Sequence, residues 1–193
     1  LETTRPGIFV TGAFAAPKDI PTSVAEACGS AAKAGAWIVD KDFTPCAPKV
    51  YPPEKDVAGK EPRIGVWVCH CGINIGSVVD VPAVAEYAKT LPNVVLSEES
   101  QYACAQDCLE SISKAISEHD LNRVVVASCT PRTHEPLFRE ACRNGGLNKY
   151  LYNMANIRDQ CSWIHMHEHE AATAKAKDLL RICLLYTSPS PRD

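Results

Sequence analysis

The chain has 193 residues, of which 46% are hydrophobic and 22% charged, and its formal net charge is −3. This composition excludes a wholly disordered chain. The sequence contains no run of 18 apolar residues, so no transmembrane helix is predicted. Charges of both signs are interspersed, which argues against a nucleic-acid-binding face. Ten cysteines are too few for a small disulfide scaffold but many for a reducing compartment. Metal or redox chemistry is therefore the first expectation.

The first third of the chain predicts one strand and one helix followed by a linker. Residues 7–12 read as a short strand, and residues 22–39 read as a helix that Thr22 or Ser23 can cap. Residues 41–62 are rich in Pro and Lys and have no periodicity, which is typical of a linker. The chain begins without Met, and we expect its start to be truncated.

Residues 63–183 alternate between short apolar runs and amphipathic runs. The predicted strands are Ile64–Val68, Val94–Leu96, Val124–Ala127 and Tyr150–Tyr152, and the predicted helices are Val81–Thr90, Ala105–His119, Glu135–Asn144 and Glu170–Arg181. This order predicts an α/β fold: a small open, mostly parallel sheet with flanking helices. Residues 184–193 lack periodicity and read as a non-native tail, with a natural Ser/Pro linker as the alternative.

Five cysteines follow the predicted strands at their carboxyl ends: Cys69, Cys71, Cys104, Cys129 and Cys161. Because these ends meet at one edge of a parallel sheet, the five side chains are expected to converge there. Four thiolates at one point favour zinc or an iron–sulfur cluster. Ordinary buried thiols are the expectation for Cys28, Cys46, Cys142 and Cys183, while Cys108, one helical turn after Cys104, is intermediate.

Three stretches carry a specific resemblance: Arg63–Ile75, Leu121–Pro136 and Met154–Trp163. Together they closely resemble the cysteine-containing N-terminal domain of the A subunit of CoB–CoM heterodisulfide reductase, an iron–sulfur flavoprotein. The resemblance implies that residues 63–183 are an iron–sulfur domain with a cubane [4Fe-4S] cluster. The matching cysteines are Cys69, Cys71, Cys104, Cys129 and Cys161. A cubane takes four thiolates, and which four of these five serve as ligands stays open.

Residues 5–38 resemble a different part of the same family, the terminal strand and helix of an FAD domain of thioredoxin-reductase type, so residues 1–40 are predicted to be the C-terminal end of such a domain. Gly7–Ala13 and Pro17–Pro21 carry this resemblance. It implies contacts with FAD from Gly12, Ala13, Pro17, Lys18, Asp19 and Ile20. In the family the cysteine domain precedes the flavin domain, whereas here the order is reversed. We interpret the chain as a fragment across the junction of two fused or tandem modules of this kind, with a chimeric assembly as the alternative.

The resemblance implies an oxidoreductase subunit that passes electrons between FAD and [4Fe-4S] clusters toward disulfide-reducing partner subunits, with electron bifurcation as an associated activity. Ferredoxin and a hydrogenase or formate dehydrogenase are the further partners it implies, and a cytoplasmic location is expected. No catalytic residue is assigned, and this fragment alone is expected to be inactive. The alternatives are a zinc-stabilised, non-enzymatic docking module and a thiol redox sensor.

Overall fold

The structure, a computed structural model, describes residues 2–39 and 48–187 and divides into two compact units. We call Leu1–Lys49 the N-terminal unit and Val50–Asp193 the C-terminal unit. Within the described residues, no helix combines the length and the apolar character needed to cross a membrane. All five cysteines predicted as metal ligands belong to the C-terminal unit.

The N-terminal unit is built around helix α1, Ile20–Val39, which confirms the helix predicted at residues 22–39. The Asp19 carboxylate accepts a hydrogen bond from the Thr22 N–H at 2.9 Å and so satisfies one of the free donors at the start of the helix. The cap is therefore Asp19, one turn earlier than the Thr or Ser expected from the sequence.

The strand predicted at residues 7–12 is not formed. Phe9 makes an isolated antiparallel bridge with Glu2, and a short 3-10 turn, Gly12–Phe14, follows. A strand is stabilised by a partner along its whole length, and the described part of this unit offers only the few residues before it. The apolar run therefore forms only this bridge and leads into the 3-10 turn.

The C-terminal unit alternates four strands with four helices. In chain order these are β1 (Ile64–Cys69), α2 (Val81–Lys89), β2 (Val94–Ser100), α3 (Gln106–Glu118), β3 (Arg123–Ser128), α4 (Pro131–Asn144), β4 (Tyr152–Asn156) and α5 (His169–Thr187). All strand pairs are parallel, and the order across the sheet is β2-β1-β3-β4. The predicted α/β class and the small open sheet are confirmed.

The sheet separates two hydrophobic cores, because successive side chains of a strand point to opposite faces. In β1, Val66 and Val68 belong to the first core, which α2 and α5 cover. Trp67 and Cys69 belong to the second core, which α3 and α4 cover. Strands β1 and β3 are buried on both faces, as expected for the centre of a parallel sheet.

Two elements differ in their bounds from the prediction. Strand β4 begins at Tyr152 rather than ending there, because its pairing with β3 runs from Val124↔Tyr152 to Ser128↔Asn156. Helix α4 begins at Pro131, four residues before the predicted start, since proline is favoured in the first helical turn.

Residues 50–57, which the sequence predicts as linker, lie along helices α3 and α4. The Tyr51 hydroxyl donates to the Glu140 carboxylate at 2.9 Å. The Lys55 ammonium donates to the Ile116 carbonyl at 2.9 Å, near the C-terminal end of α3 where a cation is favourable. We call residues 50–57 the strap; the predicted linker residues 41–47 lie outside the described residues.

The last helix continues into the segment read as a tail. Helix α5 runs to Thr187, and Leu184 is buried in the first core. The Arg123 guanidinium donates to the Thr187 carbonyl at 3.2 Å. Residues 184–187 thus pack as part of the helix, and residues 188–193 lie outside the described part.

Candidate metal centre

The five predicted ligands lie at or after the carboxyl ends of the four strands. Cys69 is the last residue of β1 and Cys71 begins the following turn, while Cys104 lies between β2 and α3. Cys129 directly follows β3, and Cys161 lies in a short π-helical turn after β4. The topology therefore places all five at one edge of the sheet, as parallel pairing requires.

Four of these thiols interact with one another. Burial raises the pKa of Cys69 to about 11, and the neighbouring thiols of Cys71 and Cys104 contribute to the increase. Burial also raises the pKa of Cys104, with contributions from Cys129 and Cys71. Electrostatic coupling thus links the four sulfur atoms of Cys69, Cys71, Cys104 and Cys129 into one group, which we call the thiol group.

Backbone amides support negative charge on Cys69. The Ala103 N–H donates to the Cys69 sulfur at 3.2 Å, and this contact is buried. Together with the Cys71 N–H it counteracts the effect of burial on the pKa of Cys69. Amide donors aimed at a sulfur atom stabilise its thiolate form, which is the form that binds metals.

Cys71 has an unusual backbone conformation. Its φ of 44° lies in the left-handed region, which is rare outside Gly, Asn and Asp. The Cys71 N–H donates to the Gln101 carbonyl at 3.0 Å, and the Gly76 N–H returns to the His70 carbonyl at 2.7 Å. The first bond holds the Cys71 turn against the segment that leads to Cys104, and the second closes the turn on itself.

Cys129 lies where β3 passes into α4. Thr130 precedes the first helical residue, and the Thr133 hydroxyl donates to the Thr130 carbonyl at 2.8 Å. The same hydroxyl oxygen lies 3.3 Å from the Cys129 sulfur. Since its proton serves Thr130, the oxygen is left to accept from the Cys129 thiol while that thiol is protonated.

The structure places Cys161 apart from the thiol group. Its side chain is fully buried in the first core, whereas Cys69 and Cys129 belong to the second core. The Cys161 thiol donates to the Ala172 carbonyl of α5 at 3.1 Å. Cys161 therefore already has a partner in the fold, on the other face of the sheet.

The remaining cysteines vary in burial. Cys108 and Cys142 lie in the second core, Cys183 is half-buried against the first, and Cys28 is exposed. Burial raises the pKa of Cys142 to about 12. Cys108 has Cys104 as an electrostatic neighbour, and its intermediate role stays a prediction. Cys46 lies outside the described residues.

The thiol group offers a donor set that suits an iron–sulfur cluster, which takes four thiolates. One further donor is present: the Ser128 hydroxyl, next to Cys129, is buried and has no hydrogen-bond partner among the described residues. Over the described ranges, no three or more His, Cys, Asp or Glu side chains are placed to hold a metal ion together, so the fit to a cluster rests on the chemistry of the donors and not on a preformed coordination geometry. The residues fit a cluster by their chemistry, through four coupled thiols with amide and hydroxyl donors beside them.

The residues expected to contact FAD lie in the segment that leads into α1: Gly12, Ala13, Pro17, Lys18, Asp19 and Ile20. Gly12 has a φ of 66°, and a Cβ there would meet only open space. The Glu26 carboxylate binds both the Gly12 N–H, at 3.1 Å, and the Lys18 ammonium, at 2.6 Å. These two donors are used within the unit, and the flavin expectation stays a prediction.

Known proteins similar to this chain are reductase subunits. No protein-family model matches the chain. It is 56% identical over 128 residues to the second iron–sulfur A subunit of CoB–CoM heterodisulfide reductase from Methanopyrus kandleri, covering 66% of this chain and 20% of that protein. It is 53% identical over 131 residues to the A subunit of the H(2):CoB-CoM heterodisulfide,ferredoxin reductase of Methanothermobacter thermautotrophicus, covering 68% and 20%.

A third relative, a protein of Archaeoglobus profundus described as similar to the heterodisulfide reductase A subunit, is 55% identical over 124 residues, covering 64% of this chain and 18% of that protein. The chain thus spans about a fifth of the length of these curated relatives. At such identity the matched two thirds of the chain belongs to the family of heterodisulfide reductase A subunits.

Proposed function

We propose that the C-terminal unit holds a [4Fe-4S] cluster through Cys69, Cys71, Cys104 and Cys129, as the electron-transfer part of a heterodisulfide-reductase-type oxidoreductase subunit. The observation that carries the proposal is that all four side chains lie in or against the second core at one edge of the sheet, where their thiols also interact electrostatically. The Methanopyrus kandleri relative, which is named an iron–sulfur subunit, supports the nature of the metal centre.

The fold prepares these thiols for a cationic metal centre. Without one, burial keeps Cys69 protonated at neutral pH, since its pKa lies near 11. The Ala103 N–H favours the thiolate once a cation replaces the proton. When bound, the cluster supplies one-electron transfer, and the protein sets its potential through burial and hydrogen bonds to sulfur.

Cys161 is proposed as a structural residue. Its thiol donates to the Ala172 carbonyl and thereby ties the π-helical turn to helix α5. A serine at this position would keep a donor for the same carbonyl. Cys161→Ser therefore serves as a matched control for the loss of a ligand.

The experiment is anaerobic reconstitution of the reduced chain with ferrous iron and sulfide, followed by measurement of iron, acid-labile sulfide and visible absorption. We expect about four iron atoms and four sulfide ions per chain. Cys104→Ser should lose most of the iron, because it removes a ligand. Cys104 is half-exposed. Cys161→Ser should keep the iron of the unchanged chain.

Three outcomes would contradict this proposal. A colourless chain with stoichiometric zinc would indicate a zinc-stabilised docking module, and reversible disulfides without metal would indicate a thiol redox sensor. Equal iron loss in Cys104→Ser and Cys161→Ser would contradict the proposed set of four ligands.

The longer protein is proposed to exchange electrons between FAD and this cluster, in the cytoplasm and in complex with other heterodisulfide reductase subunits. The proposed flavin rests on the resemblance of residues 5–38 alone. Ferredoxin as a partner is supported by the name of the Methanothermobacter thermautotrophicus relative, and a hydrogenase or formate dehydrogenase would supply electrons. The many free thiols suit a reducing compartment. Flavin content and co-purifying subunits of the full-length protein test this extension.

A further inference from the structure

Ser128 carries a polar group that the fold leaves unused. This residue ends strand β3, only 2% of it is exposed, and its hydroxyl has no hydrogen-bond partner among the described residues. A buried hydroxyl without a partner is costly, and folded proteins rarely keep one without a reason. The Ser128 hydroxyl therefore lacks a hydrogen-bond acceptor among the described residues.

The register of the sheet places Ser128 among the thiol group. Val124 and Val126 face the second core, so the alternation along β3 turns Ser128 toward the same face. Strand β1 pairs Val68 with Ala127, and this register brings the next residue, Cys69, beside Ser128. Cys129 follows directly in the chain. The unpartnered hydroxyl thus lies between two proposed ligands, on the face that carries Cys69.

Two other hydroxyls near this edge have acceptors within the chain, whereas the buried hydroxyl of Ser100, the β2 residue paired with Cys69, has none among the described residues. The Thr133 hydroxyl donates to the Thr130 carbonyl at 2.8 Å. Ser97, a buried serine on the opposite face of the sheet, donates to the Ala85 carbonyl at 2.9 Å. Ser128 differs from both because its proton is uncommitted.

We propose that the Ser128 hydroxyl donates a hydrogen bond to a sulfur atom of the bound cluster and thereby raises the cluster's reduction potential. This inference rests on the proposed function, since it requires the cluster. A donor aimed at sulfur stabilises the more negative, reduced form more than the oxidised form. Ser128 is thus a tuning residue that is satisfied only when the centre is loaded.

The test compares Ser128→Ala with Ser128→Thr, which keeps the hydroxyl, and with Ser97→Ala, which removes a buried hydroxyl from the other face. Each variant of the full chain is reconstituted and titrated electrochemically, with electron paramagnetic resonance of the reduced cluster as the readout. We expect Ser128→Ala to lower the ratio of reduced to oxidised cluster at a fixed potential about tenfold, a shift of ~59 mV for a one-electron couple. Ser128→Thr and Ser97→Ala should stay close to the unchanged chain.

Stability without metal gives a second, independent readout. Ser128→Ala removes an unpartnered hydroxyl, so the cluster-free variant should unfold at the same or a higher urea concentration than the unchanged chain. Ser97→Ala breaks an existing hydrogen bond and should unfold at a lower one. A merely structural role for Ser128 would give the opposite stability result.

The two proposals fail in distinguishable ways. If the unchanged chain takes up no iron and sulfide, the proposed function itself is wrong, and with it the role of Ser128. If the chain forms the cluster and Ser128→Ala has an unchanged potential, the cluster stands and only the tuning role is overturned. A similar fall of the reduction potential in Ser97→Ala would also overturn the tuning role, because the effect would not be specific to the face that carries Cys69.

Discussion

Cys71 shows a conflict between folding and function within one residue. Its left-handed backbone, with φ at 44°, costs an ordinary side chain about 1 kcal/mol, which glycine would avoid. Strain of this kind persists where the surrounding structure enforces it, commonly at functional sites. Here the enforced feature is a sulfur atom held near the thiols of Cys69 and Cys104, with which Cys71 interacts electrostatically.

The left-handed backbone predicts that glycine is more stabilising than alanine at position 71, the reverse of the usual order. In the reduced, cluster-free chain, Cys71→Gly should be more stable than Cys71→Ala by about 1 kcal/mol, because only alanine carries a Cβ in the left-handed region. Urea denaturation followed by circular dichroism measures the difference. An alanine variant as stable as the glycine variant would contradict the left-handed backbone at Cys71.

At the scale of elements, helices α3 and α4 approach each other at one small residue. The Ser113 hydroxyl of α3 donates to the Ala141 carbonyl of α4 at 2.9 Å. Gly145, at the end of α4, lies so close to α3 that a Cβ there would come within 2.9 Å of the Ser113 carbonyl oxygen. Because that neighbour is backbone, it cannot move aside cheaply, and the two helices depend on glycine at this contact.

Gly145→Ala should accordingly lower the free energy of unfolding by about 1–3 kcal/mol, the usual cost of overpacking. Gly35→Ala is the matched control, since a Cβ at Gly35 meets nothing within 4 Å. Thermal and urea unfolding of both variants measure the effect. If Gly145→Ala unfolds at the same urea concentration as the unchanged chain, the close approach of α3 and α4 is wrong.

Sequence patterns predict the helices and strands well where the local signal is strong. They predict them less well where pairing with a neighbouring strand sets the bounds of a strand. The apolar run at the centre of β3 predicts a buried strand, and the structure confirms it. Strand β4 contains Asn153 and Asn156, which have little strand preference, so its bounds depend on pairing with β3. The strap looks like a linker in sequence because its contacts with α3 and α4 are made across the fold, by single residues such as Lys55.

At the scale of the whole molecule, one sheet divides the cysteines between two cores. Topology predicts that all five candidate ligands follow strand ends, and the structure agrees. The face on which each lies depends on how the segment after its strand packs. Cys161 lies in a π-helical turn beside α5, and nothing in its local sequence indicates that position. The face of Ser128, by contrast, follows from alternation along β3, which places it on the side of Val126.

The buried thiols also set how the stability of the metal-free chain varies with pH. Burial raises the pKa of six of them above the usual thiol value of 9.0: Cys69, Cys104, Cys108, Cys142, Cys161 and Cys183. Above pH 9 the unfolded chain releases these protons while the folded chain keeps them. The unfolded state then binds fewer protons, so stability falls as pH rises.

We expect Cys142→Ala to reduce this dependence, because the pKa of Cys142 reaches about 12 in the folded chain. One such thiol contributes at most about 1.4 kcal/mol per pH unit between pH 9 and its folded pKa. Urea denaturation of the reduced chain at pH 8, 9 and 10 gives the slope for both proteins. Equal slopes would show that Cys142 titrates alike in the folded and unfolded states.

Trp67 provides a fluorescent side chain in the second core. Trp67 precedes Cys69 by two residues on the same face of β1, about 6.6 Å along the strand, and it is 1% exposed. Gly65 leaves the space that its ring occupies, since a Cβ there would lie 2.7 Å from it. A coloured centre at the thiol group would absorb the light this indole emits. Iron loading should therefore quench the Trp67 share of the chain's fluorescence, to which Trp37 and Trp163 also contribute, and a chelator that removes the iron should restore it.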